Sequence, residues 1–187
     1  NNFVNNKEIG IQNNNKNIIS VNRLVDQKNV FEVLEIAKHL KKYNFLIIGN
    51  GPLEKDLKHK MYKEKINNVY MFGLIKDVFK YLYLSKVFLT TSLYEGLSLS
   101  LLEAMSIGLP VVASNVIGNY DAINHNESGF LYELGNVKSA CKYIELIMEN
   151  YTIELKMSAR AFKKQREEFC HEIMHKKYLK IYEMCNV

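Results

Sequence analysis

The sequence predicts an α/β domain: a doubly wound, Rossmann-like parallel sheet of about six strands with a C-terminal helical tail. Three observations predict it. Short apolar runs alternate with helix-period segments along nearly the whole chain, the pattern of crossover units. FLIIG at 45–49 and PVVAS at 110–114 are apolar without alternation, as strands covered on both faces are. A length of 187 residues with 48% hydrophobic and 24% charged content suits one well-cored domain.

The elements follow in order. Residues 1–17 are Asn-rich and aperiodic and form a linker or arm. IISV (18–21) is the first strand. Val30–Lys41 is an amphipathic helix, with Val30, Val33, Leu34, Ala37 and Leu40 at helical spacing. Phe45–Gly49 is a strand and Leu53–Ile66 a polar helix. Val69–Gly73 is a strand and Asp77–Leu84 a helix that Asp77 caps. Val87–Thr91 is a strand, Ser98–Ile107 a strongly apolar helix, Pro110–Ser114 a strand and Gly129–Tyr132 the last strand. Helices over 136–149, 153–169 and 171–184 complete the chain. The organisation is therefore an arm (1–17), a ligand-binding domain (18–150) and terminal helices packing on it (151–187).

Composition excludes several classes. Two prolines and nine glycines exclude a collagen-like or Pro/Gly-rich chain. No apolar run reaches the roughly 18 residues of a membrane span. The missing initiator Met suggests a piece of a longer protein. The net charge of +5 suits a phosphate-bearing ligand, but nucleic acid finds neither motif nor aromatic platform. Cys141, Cys170 and Cys185 are odd in number and lack CxxC spacing, which points to reduced thiols in the cytoplasm. His171-Glu172-Ile173-Met174-His175 fits H-E-x-x-H. Its Lys-rich setting and the lack of a third ligand argue against a metal, and none is assigned.

Ligands of open doubly wound sheets bind outside the carboxyl ends of the strands. Arg23 follows the first strand, the one arginine before Arg160 and Arg166, and Lys28 opens the next helix. Arginine offers a planar fork to two phosphate oxygens. Gly49 and Gly51 permit close backbone approach or positive φ, yet Glu54 replaces the third glycine of a dinucleotide fingerprint. Gly73 and Leu74 follow the third strand, either as an ordinary turn or as a wall for a flat base. Ser92–Met105 is the most informative segment. The first amides of its helix, near Leu97–Ser100, lack internal partners and form an anion site. Glu95 lies in the loop before it. Glu103 lies within it, and burial of that carboxylate in so apolar a helix would demand a partner. Phosphate and hydroxyl recognition in one place suggests a nucleotide sugar.

These residues resemble glycosyltransferase family 4, the glycosyl transferases group 1 domain, which is the C-terminal, donor-binding half of retaining GT-B enzymes. SLYEGLSLSLLEAMSIGLPVVAS carries its E-x7-E spacing at Glu95 and Glu103. VNRLVDQKN, IIGNGP and VYMFG are similar to its other strand-end segments, in the same order. The resemblance implies that Arg23 and Lys28 hold the donor diphosphate, the backbone amides of Leu97, Ser98 and Leu99 help bind phosphate or donor sugar, Glu95 holds the sugar hydroxyls and Glu103 the ribose. Gly49, Gly51, Gly73, Leu74 and Gly96 would flank the donor. It implies no metal or other cofactor, and a saccharide or lipid-linked acceptor bound by a separate N-terminal domain, so this chain alone would transfer little or nothing. A role in bacterial surface polysaccharide or glycoconjugate synthesis follows. The Lys-rich tail, which also carries glutamates, reads mainly as a solvated helical face, with peripheral association at the inner face of the membrane as the alternative. Asn22 replaces a family glycine, Leu97-Ser98 stand for Phe-Gly, and Asp121 for a glutamate. Two alternatives remain. One is a nucleotide-sugar epimerase, for which no acid/base residues are found. The other is a non-catalytic nucleotide-binding module; a receiver is disfavoured because Asn22-Arg23 stands where it needs an acidic pair.

Overall fold

A computed structural model describes residues 16–185. Six strands form one parallel sheet: β1 (Asn17–Val21), β2 (Asn44–Ile48), β3 (Val69–Gly73), β4 (Val87–Thr90), β5 (Val111–Ser114) and β6 (Gly129–Tyr132). Their spatial order is β3-β2-β1-β4-β5-β6. The order reverses between β1 and β4, which pair Ile18 with Val87 and Ile19 with Phe88. That reversal opens a crevice at the carboxyl ends of these two strands.

Eight α-helices occur among the described residues: α1 (Val30–His39), α2 (Glu54–Lys63), α3 (Phe79–Tyr83), α4 (Leu99–Ser106), α5 (Ile117–Ala122), α6 (Val137–Glu149), α7 (Tyr151–Lys164) and α8 (His171–Cys185). Successive strand side chains point to opposite faces. Ile18, Phe45, Ile47, Leu89 and Val112 therefore pack under α1 and α6. Ile19, Leu46, Ile48, Phe88 and Val111 pack against Leu101, Ala104 and Met105 of α4. Both faces are buried, which is why FLIIG and PVVAS need no polar alternation.

The ends of several elements differ from expectation, each for a local reason. β1 begins at Asn17, a buried residue whose amide nitrogen donates to the Leu84 carbonyl at 2.8 Å. A polar strand residue satisfied in this way is invisible to an apolar pattern. The rest of the proposed arm, residues 1–15, lies outside the described residues. α2 stops at Lys63 rather than Ile66. Lys65 turns left-handed (φ 53), and the amides of Lys65 and Ile66 bond back to the carbonyls of Tyr62 and Met61. α3 is shorter than expected, with Asp77 Oδ1 accepting from the Lys80 amide at 3.3 Å. α5 was not anticipated. Six residues with an exposed Ile117 and a buried Gly118 and Asn119 carry no helical stripe. The single helix expected over 153–169 is α7, capped by Asn150, followed by a π-helical turn over Gln165–Phe169. This tail packs through α7 on α6 and α4, while α8 contacts the π turn.

Candidate donor-binding site

The loops after β1 and β4 face each other across the switch point and are stitched together. The Leu93 amide donates to the Gln27 carbonyl at 2.8 Å, and Gln27 Nε2 to the Tyr94 carbonyl at 3.0 Å. Thr91 Oγ1 lies 2.9 and 3.0 Å from the carbonyls of Lys28 and Asn29. Asn29 is left-handed (φ 46) and caps α1. Its side-chain amide donates to the buried Glu32 carboxylate at 2.7 Å. The Tyr132 phenol lies beneath; burial, reinforced by the Glu32 charge, pushes it well above its ordinary pKa.

This frame brings Lys28 and Glu95 together. The Lys28 ammonium donates to Glu95 Oε1, with side-chain exposures of 17% and 6%. Ser92 Oγ donates to the same oxygen at 2.7 Å. Glu95 Oε2 has no hydrogen-bond partner among the described residues. The two residues expected to hold diphosphate and sugar thus pair with each other.

Arg23 is exposed and makes no side-chain hydrogen bond or ion pair among the described residues. Its loop is nonetheless rigidly held. The Leu24 amide donates to the Asn50 carbonyl at 2.8 Å, and the Leu53 amide to the Leu24 carbonyl at 3.1 Å. A Cβ on Gly49 (φ +132) would stand 1.8 Å from the Asn22 carbonyl oxygen, and one on Gly51 2.4 Å from that of Leu24. What approaches these glycines closely is the backbone that presents Arg23. Gly73 is left-handed (φ +68), and its carbonyl accepts from the Gly49 amide at 2.8 Å. Leu74 beside it is 76% exposed.

α4 starts at the same crevice. Ser98 caps it, its hydroxyl accepting from the Leu101 amide at 3.4 Å. The amides of Leu97, Ser98 and Leu99 have no acceptor among the described residues, so they remain open to an anion. Burial of Glu103, expected from the apolar helix, does not occur. Leu99 and Glu103 are one turn apart and share an exposed stripe, while Leu101, Leu102, Ala104 and Met105 fill the core. The carboxylate therefore needs no internal partner, and it does not touch the Lys28–Glu95 pair. Gly96 has open space where a Cβ would stand, but its carbonyl lies 2.0 Å from a Cβ built on Gly118.

The sequence marks Ser92 only as the start of its segment and gives Ser114, Asn119 and Gly118 no part in this frame. Ser114 Oγ donates to the Ser92 carbonyl at 2.7 Å, and Asn119 Nδ2 to the Ser114 carbonyl at 3.0 Å. The one available signal was polar residues directly after apolar strands. A groove of about 490 Å³ lined by Lys38, Lys41, Asn44 and Tyr70 includes the first residue of β2 and so lies at the amino ends of the strands, away from the switch point. His171 and His175 stack with ring centroids 6.2 Å apart. Among the described residues no three His, Cys, Asp or Glu side chains group to hold a metal, and no helix is long and apolar enough to cross a membrane.

Residues 2–167 match the family described as glycosyl transferases group 1. The UDP-Gal:alpha-D-GlcNAc-diphosphoundecaprenol alpha-1,3-galactosyltransferase of Escherichia coli is 36% identical over 142 residues, covering 71% of this chain and 36% of that protein. TarM of S. aureus, solved with fondaparinux, alpha-GlcNAc-glycerol and UDP, superposes with a TM-score of 0.84 at 26% identity, covering 90% of this chain and 35% of TarM. Anabaena Alr3699/HepE in complex with UDP-glucose shares the fold at a TM-score of 0.84 and 19% identity, covering 91% of this chain and 49% of that one. The chain thus spans between a third and a half of these relatives. With its strand order, its switch-point loops and these matches, the chain belongs to the glycosyl transferases group 1 family and has the fold of the C-terminal domain of GT-B glycosyltransferases.

Proposed function

We propose that this domain binds a nucleotide-sugar donor for a retaining glycosyltransferase of polysaccharide or glycoconjugate synthesis. The observation that carries it is the convergence, at one switch point, of an unpartnered Arg23, a Lys28–Glu95 pair and the open first amides of α4. Arg23, Lys28 and the amides of Leu97, Ser98 and Leu99 take the diphosphate. They carry the charge that develops on it as the anomeric bond breaks, without a metal ion. Glu95 accepts from sugar hydroxyls and Glu103 from the ribose. Gly49, Gly51, Gly73, Leu74 and Gly96 shape the walls. The saccharide or lipid-linked acceptor is held by the remainder of a two-domain enzyme, so transfer needs more than this chain. The UDP-Gal and UDP in the descriptions of the relatives support the donor class, and the alpha linkage in the E. coli name accords with retention. The free thiols of Cys141 and Cys170 fit a reducing, cytoplasmic setting. The exposed Lys176 and Lys180 of α8 suit peripheral contact with an anionic membrane.

Calorimetry of the 187-residue chain against UDP, GDP and ADP in EDTA tests this. One of the three binds, and Arg23→Ala and Glu103→Ala weaken it. No binding of any, or binding that both substitutions leave untouched, overturns the assignment. Binding only with added Mg²⁺ overturns its metal-free part.

A further inference from the structure

We propose that Thr90 and Ser92 are positioning residues, forming a one-directional hydroxyl chain that holds one oxygen of Glu95 and leaves the other free for a sugar hydroxyl. The inference rests on the donor-binding assignment above and adds two residues to it. Ser92 is fully buried and Thr90 is 5% exposed. They are two apart, so both hydroxyls lie on the same face at the carboxyl end of β4. Ser92 Oγ lies 2.7 Å from Glu95 Oε1 and 3.2 Å from Thr90 Oγ1.

The proton count sets the direction. An ionised carboxylate only accepts, so the single Ser92 proton goes to Glu95. Ser92 then has only lone pairs for Thr90, and Thr90 must donate to Ser92. Each bond in such a chain polarises the next. The Ser92 peptide cannot swing, because its carbonyl accepts from Ser114 Oγ, and Ser114 is in turn held by the buried Asn119.

Glu95 needs this support. It lies in a loop between an exposed Tyr94 and an exposed Gly96. Its carboxylate has two partners among the described residues, Lys28 and Ser92, both on Oε1. A bound diphosphate competes for the Lys28 ammonium. Ser92 is then the donor that stays on Oε1 and keeps Oε2 aimed at the sugar. The chain therefore acts on the sugar half of the donor and not on the diphosphate.

The test compares nucleoside diphosphates with their glucose conjugates (UDP, GDP and ADP each against the corresponding nucleotide glucose) by calorimetry on the whole chain. Ser92→Ala is expected to weaken the nucleotide sugar by roughly tenfold and leave the nucleoside diphosphate unchanged. Thr90→Val, which keeps shape and loses the hydroxyl, weakens the sugar conjugate by roughly two- to threefold. Thr90→Ser, which keeps the hydroxyl, restores it. A merely structural role would move both ligands together. Equal losses for both ligands, no loss for either, or a wild-type chain that binds a diphosphate but none of the glucose conjugates overturns the proposal. Failure of all three diphosphates to bind the wild-type chain overturns the donor-binding assignment itself. The chain is also read without ligand: a slowly exchanging Ser92 hydroxyl proton is expected by NMR, and its persistence unchanged in Thr90→Val counts against the relay.

Discussion

Lys28 and Glu95, 67 residues apart, form an ion pair that closes the two loops of the switch point onto each other. The pair is largely buried, so neither charge is fully compensated by water. Removing one partner leaves the other stranded, whereas removing both leaves no orphan charge. Lys28→Met and Glu95→Gln should each destabilise the domain, and the double variant should lose less than their sum by about 1 to 3 kcal/mol. Urea denaturation of the four proteins checks this; additive losses would show that the pair contributes nothing.

Arg23 should behave in the opposite way. Its side chain is exposed and unpartnered among the described residues, so Arg23→Ala should change stability by less than about 0.5 kcal/mol. Its affinity for a nucleoside diphosphate should fall by about 1.5 to 3 kcal/mol for each charged hydrogen bond lost. Thermal unfolding beside calorimetry separates the two effects.

The glycines divide by what surrounds them. Gly49→Ala and Gly118→Ala place a Cβ 1.8 and 2.0 Å from the carbonyl oxygens of Asn22 and Gly96, and should cost more than about 2 kcal/mol. Gly73→Ala meets open space and costs only its left-handed conformation, about 1 kcal/mol. Gly96→Ala has neither problem and should leave stability unchanged. Denaturation midpoints in that order are the expected result.

Acid should loosen the α1–α2 surface at a defined point. Hydrogen bonds from Lys38 and then Lys60 hold the Glu64 carboxyl at about 2, against an ordinary 4.5. Its folded value is depressed, so its contribution is complete above about 4.5 and is lost as pH falls from there through about 2. Glu64→Gln should flatten stability across that window, and added salt should weaken the wild-type effect because the group is exposed. Midpoints measured at pH 5 and pH 3, in low and high salt, decide it.

The placement of the candidate site's residues at the strand ends is legible in the sequence. Arg23, Lys28, Glu95 and the start of α4 each follow a strand, and strand ends are where such sheets bind ligands. Glu103 lies on the helix its sequence implies, but exposed rather than buried. Its helix is apolar in composition, yet Leu99 and Glu103 share the one stripe that faces outward. Composition counts residues, while burial depends on which stripe meets the sheet. Gly49 and Gly51 are positions of close approach, as their residue type implies, but the approaching group is the Asn22–Leu24 backbone. α5 and the Thr90–Ser92–Glu95 chain left no periodic trace, because they are built from single polar contacts.

The sequence by itself determined the alternation of strands and helices, the burial of the sheet on both faces and the identity of the charged residues at the strand ends. These are local properties, carried by hydrophobic period and residue type. The tertiary structure alone decided that β1 lies beside β4, and with it that Lys28 meets Glu95 and Gly118 lies under Gly96. Those contacts join segments that are distant in the chain. Pairing order and loop packing set them, and neither is written in the periodicity of any one segment.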